Sequence, residues 1–342
     1  MAKIPNSVIG IDLGRYSLKS VSLQRKGANR FVLNNYAVRV MENAPQTAEQ
    51  LGAELKLLLK EMGGGKKCAV AVSSPDSLIR IIDQPETPIE ILRDAVRLNG
   101  MSLLNQDVKE FALDCEQITK RDPSAPAAPV RYLVCGLPRT HVSHVDEAFQ
   151  EQRKNPVHNI QLAPVSAFNA FEFANEQIFN NEAFLLVDIG HSSSTVTVGV
   201  KRELVLVRAI EFGGQSIMSA VISTGAKSTE EALRQLDEKD EIAVETARLS
   251  LTVLTREISS SIGFFEGRRE ETISKVFVSG SIARSKALLE ILSEELHMPC
   301  EAWNPFQACE MSLPAHRRQL FQEDFVSLNV ACGAAAEALK GK

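Results

Sequence analysis

Several protein classes are excluded by what this chain does not have. No apolar run reaches the roughly 18 residues that a membrane-crossing helix needs. The opening MAKIPNSVIGIDLG carries no signal-type apolar segment and enters a strand pattern almost at once. The six cysteines, Cys68, Cys115, Cys135, Cys300, Cys309 and Cys332, are scattered and form no CxxC. Neither a zinc ribbon nor a disulfide framework is indicated, and buried thiols of a cytoplasmic protein are the expectation. Basic residues are not in excess: the net charge is −5, so bulk charge gives no sign of a nucleic-acid partner. No Ser/His/Asp or Cys/His arrangement for nucleophilic catalysis can be read from the sequence.

Two features invite a ligand and do not sustain it. Gly63-Gly64-Gly65 followed by Lys66-Lys67 suggests a phosphate loop. A Walker loop, however, joins a strand to a following helix, whereas here a helix precedes and a strand follows, so a helix stop is expected. His141 and His144, with Asp146 and Glu147 nearby, could ligate a metal from one helix face, but no further ligands cluster with them and a solvated face is expected.

What is present is a chain of 342 residues, 44% apolar and 24% charged, long enough for about two domains. Short runs rich in Val, Ile and Leu predict strands at 8–13, 18–24 and 31–39. Helical spacing of Leu51, Leu55, Leu58, Leu59 and Met62 predicts a helix over 47–62, capped by Thr47 and stopped by the glycines. A buried strand at 68–73 follows, then a strand at 77–83 and a helix at 88–99 opened by Pro88, with Thr87 as its cap. Strands are expected at 108–118 and 130–136, joined by a mobile Pro- and Ala-rich loop, KRDPSAPAAP. A helix at 139–152, a strand at 157–162 and an Ala-rich helix at 163–177 complete this half. The phenylalanines of that last helix, Phe168, Phe171 and Phe173, read as core.

The opening pattern then restarts. Strands are expected at 183–189, 193–201 and 203–210, helices near 214–224, 228–237 and 240–267, a strand at 275–281 and a helix at 284–296. A final helix of small residues suits close packing. The restart reaches into detail. VIGIDLGRYSLKSVSL, at 8–23, and LLVDIGHSSSTVTV, at 185–198, each deliver an Asp from a strand, a Gly two residues on, a hydroxyl-bearing turn and a second strand. Asp12, Gly14 and Ser17 match Asp188, Gly190 and Ser193, 176 residues apart. Strand–turn–strand order excludes the dinucleotide-binding fingerprint, which opens a helix. Gly turns with free N–H groups can form anion nests, and two facing turns would clamp a polyphosphate. An Asp at each mouth could hold hydrated Mg²⁺, and Lys19 could reach a phosphate. An ordinary hairpin with a turn-capping Asp would explain either copy alone; two copies in register, each followed by a third strand, favour the clamp.

On these residues the chain resembles the actin-like ATPase superfamily and, within its FtsA/PilM branch, the PilM family of type IV pilus assembly proteins. The carriers are IGIDLGRYSLKSVSL, VDIGHSSSTVTVGVKRELVLVRAIEFGGQSI and VFVSGSIARSKALLEILSEEL, for two phosphate hairpins and an adenosine region, and AVSSPDSLIRIIDQPETPIEILRDAV, which leads into the insert of this branch. The resemblance implies an α/β, ribonuclease H-like fold of two duplicated lobes around a nucleotide cleft. The first lobe would span 1–182 with a subdomain inserted at about 84–160, and the second 183–326 with a helical subdomain at about 214–268. The segment 327–342 would be a connector helix returning to the first lobe.

The resemblance also implies ATP or ADP with Mg²⁺. Asp12, Gly14, Arg15, Ser17 and Lys19 would contact it from the first hairpin, and Asp188, Gly190, Ser192 and Ser193 from the second. Gly213 and Gly214 would contribute, as would Glu231, Arg234, Gly280 and Ser281 on the adenosine side; Asp12 and Asp188 would hold the metal. Three positions depart from the family pattern: Ser281 stands where a further Gly is usual, Thr195 where FtsA-like proteins often carry Asp, and Ala163 where an acid often precedes Pro164. An acid or amide near that last position orients attacking water; Gln161 is the remaining catalytic candidate, so ATP binding with slow or absent hydrolysis is expected. The implied role is a cytoplasmic scaffold of a type IV pilus or related secretion machine, peripheral to the inner membrane. It would be recruited by the cytoplasmic N-terminal tail of a PilN-like single-span protein, with other platform or motor proteins as further partners. No nucleic acid and no direct membrane insertion are expected, since the chain stops at LKGK without the amphipathic helix that ends FtsA. A weak ATPase or kinase of the superfamily, an FtsA-like division filament and a nucleotide-free relic are the competing readings.

Overall fold

The structure, a computed structural model, describes residues 5–27, 29–119 and 129–340. Most of the loop KRDPSAPAAP, at 120–128, lies outside the described residues. The chain opens with β1 (Ser7–Leu13), β2 (Ser17–Arg25) and β3 (Phe31–Val40), an antiparallel meander. Helix α1 (Ala48–Met62) starts where Thr47 accepts the Gln50 N–H at 3.2 Å and stops where Gly63 turns to φ +75°. Its buried face is the Leu51, Leu55, Leu58, Leu59 and Met62 set that its spacing predicts. Strand β4 (Lys67–Val72) then returns parallel to β1.

A smaller unit follows: β5 (Leu78–Gln84), α2 (Ile89–Leu104), β6 (Phe111–Gln117) and β7 (Val130–Pro138), with the three strands in the order β5-β7-β6. Two expectations change here. Thr87 does not cap α2, because its hydroxyl donates to the Pro85 carbonyl at 2.7 Å and the helix opens on Pro88 without a side-chain cap. Nor does α2 end at 99: Asn99 breaks helical geometry, but Gly100 lets the chain press against Val108 and the helix continues to Leu104. After α3 (Arg139–Phe149), which packs on α1, β8 (Val157–Leu162) pairs parallel with β4 in the larger sheet. The segment from α3 to β8, expected within the insert at 84–160, is therefore built onto the first lobe's sheet, and the small sheet starts earlier, at Leu78. The expected helix at 163–177 is two pieces, α4 (Ala163–Ala174) and α5 (Glu176–Asn181), parted by the non-helical Asn175.

The second half repeats the first. Strands β9 (Ala183–Ile189), β10 (Ser194–Val200) and β11 (Glu203–Ile210) form another meander. Helices α6 (Gly214–Ser223), α7 (Thr229–Asp237) and α8 (Glu241–Glu266) precede β12 (Val276–Ser279), α9 (Lys286–Leu296) and β13 (Cys300–Ala302). Strand β14 (Cys309–Met311) pairs with β3, two one-turn helices α10 (Ala315–Arg318) and α11 (Phe321–Asp324) follow, and α12 (Asn329–Lys340) ends the described chain. The sheet orders are β14-β3-β2-β1-β4-β8 and β11-β10-β9-β12-β13. In each, a three-stranded meander continues into parallel strands, with β1 and β9 in equivalent places. This duplicated α/β architecture is the actin-like fold.

The lobes are joined through α4 and α12. Helix α12 is buried along almost its whole length and lies on β1, β2 and β4. It crosses α4 at Gly333, where a Cβ would stand 1.7 Å from the Ser166 carbonyl oxygen, and crosses β1 at Gly10, where a Cβ would stand 2.0 Å from the Ala331 carbonyl oxygen. Small residues here admit backbone contact that larger ones would block. On the other side of α4, Phe168 and Phe171 pack on Phe184, and Phe171 also on Phe277 and Trp303, so these rings are core as expected.

Candidate functional site

The two Asp-Gly turns close the β1–β2 and β9–β10 hairpins and share their construction. Asp12 faces Lys19 across the first hairpin, and Asp188 faces Thr195 across the second. In the first turn a Cβ on Gly14 would lie 2.6 Å from the Ser17 carbonyl oxygen; in the second, a Cβ on Gly190 would lie 2.7 Å from that of Ser193. Both contacts are closer than real Cβ atoms show, so each turn needs glycine at this point. The Gly190 N–H donates to the Ser193 carbonyl at 3.0 Å.

The two carboxylates come close enough to influence each other. Asp12 is 5% exposed and forms a 3.4 Å ion pair with Lys19. Burial nevertheless holds its carboxyl above the usual range; Lys19 opposes this and the Asp188 charge reinforces it. The other oxygen of Asp12, Oδ1, is buried without a hydrogen-bond partner. An orphaned acceptor beside a second carboxylate is costly unless something cationic completes it. Asp188 is held firmly instead. Its Oδ1 accepts from the Ser279 hydroxyl at 2.8 Å and from the Asn329 amide at 3.1 Å, and Asn329 also donates to Ser279 at 3.0 Å.

Among the described residues no group of three or more His, Cys, Asp or Glu could hold a metal by itself. Two carboxylates fit a hard cation that takes its remaining ligands from phosphate and water. Asp12 and Asp188 therefore suit Mg²⁺ in company with a polyphosphate.

The remaining candidates divide. Arg15 and Ser192 are exposed and line a cavity of about 300 Å³ beside the turns. Gly213 and Gly214 brace the second turn: the Gly214 and Gln215 N–H groups donate to the Gly190 and His191 carbonyls, both at 2.8 Å. Gly280, at φ +99°, packs so tightly that a Cβ would stand 2.0 Å from the Ile189 carbonyl oxygen, and exposed Ser281 opens a single 3₁₀ turn after it. Glu231 has a local task at the start of α7, accepting the Lys227 N–H at 2.8 Å while Ser228, the N-cap, accepts the Glu231 N–H at 3.2 Å. Arg234 pairs along the same helix with Glu231 and Glu238. Nothing in this bonding marks that pair as a ligand site.

Gln161, the remaining catalytic candidate, has structural partners. Its amide donates to the Ala334 carbonyl at 3.2 Å and accepts from the Ser166 hydroxyl at 3.0 Å. Both ends tie β8 to the two connector helices.

Sequence reasoning missed two parts of the site. Ser279 and Asn329, which hold Asp188, come from a strand end and a helix start far apart in the chain. The one signal was a lone Asn opening an otherwise apolar, small-residue helix. The second omission is the ring pair Tyr16 and His191, which stack at 3.8 Å between centroids and 3° between planes.

The chain is similar to several known proteins. A family model described as type IV pilus assembly protein PilM matches residues 10–339. No curated protein sequence matches the chain. Among solved structures, a PilM–PilN type IV pilus biogenesis complex contains a chain 21% identical with a TM-score of 0.81, covering 99% of this chain and 100% of that one. The ethanolamine utilization protein EutJ from Carboxydothermus hydrogenoformans is 14% identical, with a TM-score of 0.54 over 100% of this chain and 92% of its own. A ROK family glucokinase from Streptomyces griseus, solved with glucose and AMPPNP, is 12% identical, with a TM-score of 0.53 over 98% of this chain and 100% of its own.

Proposed function

Since the chain belongs to the PilM family of type IV pilus assembly proteins, we propose that it is an actin-like, nucleotide-binding scaffold of a type IV pilus or related secretion machine. The observation that carries this reading is the family match over nearly the whole chain, 10–339. The likeness in shape to the chain of a PilM–PilN complex supports a PilN-like partner. That partner is a single-span membrane protein whose short cytoplasmic tail lies in a groove of the first lobe and orders on binding. Among the described residues no helix is long and apolar enough to cross a membrane.

In this reading ATP or ADP sits between the two turns. Their backbone N–H groups face its phosphates, Lys19 supplies a positive charge, and Asp12 and Asp188 hold Mg²⁺. The metal's chemical contribution is to neutralise charge on the phosphate oxygens. Hydrolysis is slow or absent because Gln161 is committed to the connectors and the residue before Pro164 is Ala163, with no carboxylate to orient water. Nucleotide then acts by preferring one lobe arrangement over another, and so sets the surface offered to partners.

The test is a binding titration of the full chain with a fluorescent peptide carrying the cytoplasmic tail of a PilN-like single-span protein. Saturable binding that a scrambled peptide does not reproduce, with an affinity that shifts when Mg·ATP is added, is expected. Equal binding of both peptides would overturn the scaffold reading. Brisk phosphate release by the purified chain, lost in Asp12→Ala and in Asp188→Ala, would favour an enzyme instead.

A further inference from the structure

The two hairpin turns meet through their side chains. Tyr16 lies in the first turn, two residues after Gly14, and His191 in the second, directly after Gly190. Each is fixed by its main chain to its own lobe. The Tyr16 carbonyl accepts the Met41 N–H at 3.0 Å, and the His191 carbonyl accepts the Gln215 N–H at 2.8 Å. Their rings lie parallel across the boundary between the lobes, 3.8 Å apart. Tyr16 is 44% exposed, so this is a contact at the rim, not part of a core. Met41, Glu42 and Ala44 of the first lobe and Ser192 of the second line the cavity alongside it.

A contact of this kind has a definite mechanical meaning. Two rings anchored on separate bodies can stay stacked only while the bodies keep one relative position. Any opening of the cleft at the turns must break the stack. Aromatic pairs add only modest stabilisation beyond the area they bury, so the contact biases the lobes without locking them.

We propose that Tyr16 and His191 form a cross-lobe clasp that holds the two turns face to face and sets how fast a nucleotide polyphosphate enters and leaves between them. The first half needs no ligand; the second rests on the nucleotide-binding reading above. The clasp favours the arrangement in which the turns face each other, so a nucleotide arrives through transient opening and finds the turns already placed.

Hydrogen exchange on the full-length, nucleotide-free chain tests the first half. Tyr16→Ala should raise exchange not only in its own turn but in 189–193 across the boundary, and His191→Ala should do the same to 13–18. An increase of about two- to tenfold matches the strength of one ring pair, and the double variant should add little to either single one. Tyr16→Phe, which keeps a stacking ring, should exchange like the wild type. Exchange raised only in the turn that carries the substitution would overturn the clasp. Stopped-flow mixing with a fluorescent ATP analogue and Mg²⁺ tests the second half: association and dissociation should both quicken in the alanine variants, by a similar two- to tenfold. Unchanged rates in a wild type that binds the analogue would overturn the gating role. A wild type that binds no analogue would overturn gating together with the nucleotide reading, and the exchange result would still decide the clasp.

Discussion

Asp12 is poorly accommodated by the fold. Its carboxylate is buried, one oxygen has no partner, and burial outweighs Lys19 in displacing its proton affinity upward. A group placed against stability in this way marks a functional site more often than a structural one. Asp12→Asn keeps the shape and an acceptor for Lys19 while removing the buried charge. The unfolding midpoint of this variant should stay level or rise by about 2 °C, on the order of 1 kcal/mol for a chain of this size, while Mg²⁺-dependent nucleotide binding falls at least about tenfold. A midpoint lowered by several degrees would place Asp12 among the structural residues. Asn329 makes the opposite case. Asn329→Ala removes two buried hydrogen bonds and leaves Asp188 and Ser279 short of a donor, so thermal melting should show a loss of about 1–3 kcal/mol.

The Asp and Gly positions of both turns were legible in the sequence because strand–turn–strand spacing is local and it occurs twice. Asn329 and the Tyr16–His191 stack were not. They depend on segments brought together by the tertiary fold, and no local pattern records such a meeting. Gln161 shows the same limit from the other side: its bonds to Ala334 and Ser166 on the connector helices could be seen only in the fold.

At the scale of elements, hydrophobic period and capping gave α1 to within a residue, since its face, its Thr47 cap and its Gly63 stop all agree. For α2 they did not, because Asn99-Gly100 reads as a stop while Gly100 serves close packing on Val108. The same distinction between glycines separates two helices. Gly333 lies at the crossing of α4 and α12 with no room for a Cβ, whereas Gly263 within α8 has nothing within 4 Å. Gly333→Ala should therefore destabilise by about 3 kcal/mol or more, as an overpacked core does when its neighbour is backbone. Gly263→Ala should stabilise by about 0.5–1 kcal/mol through helix propensity. Chemical denaturation of the two variants side by side checks both; equal effects would mean that α12 does not cross α4 in this register.

For the whole molecule, the cysteines give a test that covers every part of the fold. Burial pushes the Cys68, Cys135 and Cys309 thiols up to about 12 and those of Cys115 and Cys300 up to about 11, and lifts Cys332 well above its ordinary range. The folded chain therefore holds protons that the unfolded chain releases as pH rises through a thiol's ordinary value of 9.0. The unfolded state then binds fewer protons, so the thiol contribution to stability is intact below about pH 8.5 and declines above it. Thiol-reactive dye at pH 8 should label the buried Cys68, Cys115 and Cys332 only after unfolding; fast reaction of one of these in the native chain would contradict the packing around it.

The lobes, their connectors and the paired turns form one arrangement, in which Asp188 is bonded to the first residue of the helix that runs back across β1. A ligand at the carboxylates thus touches the connection between the lobes directly. The central claim is that two matched turns and two carboxylates bind a nucleotide with its metal. Calorimetric titration of the wild-type chain and Asp12→Asn with ATP, each with and without Mg²⁺, tests it most directly. One site per wild-type chain is expected, dependent on Mg²⁺ and weakened at least about tenfold in a variant that remains folded. No heat and no thermal shift in the wild type at millimolar Mg·ATP, or equal binding by Asp12→Asn, would contradict it.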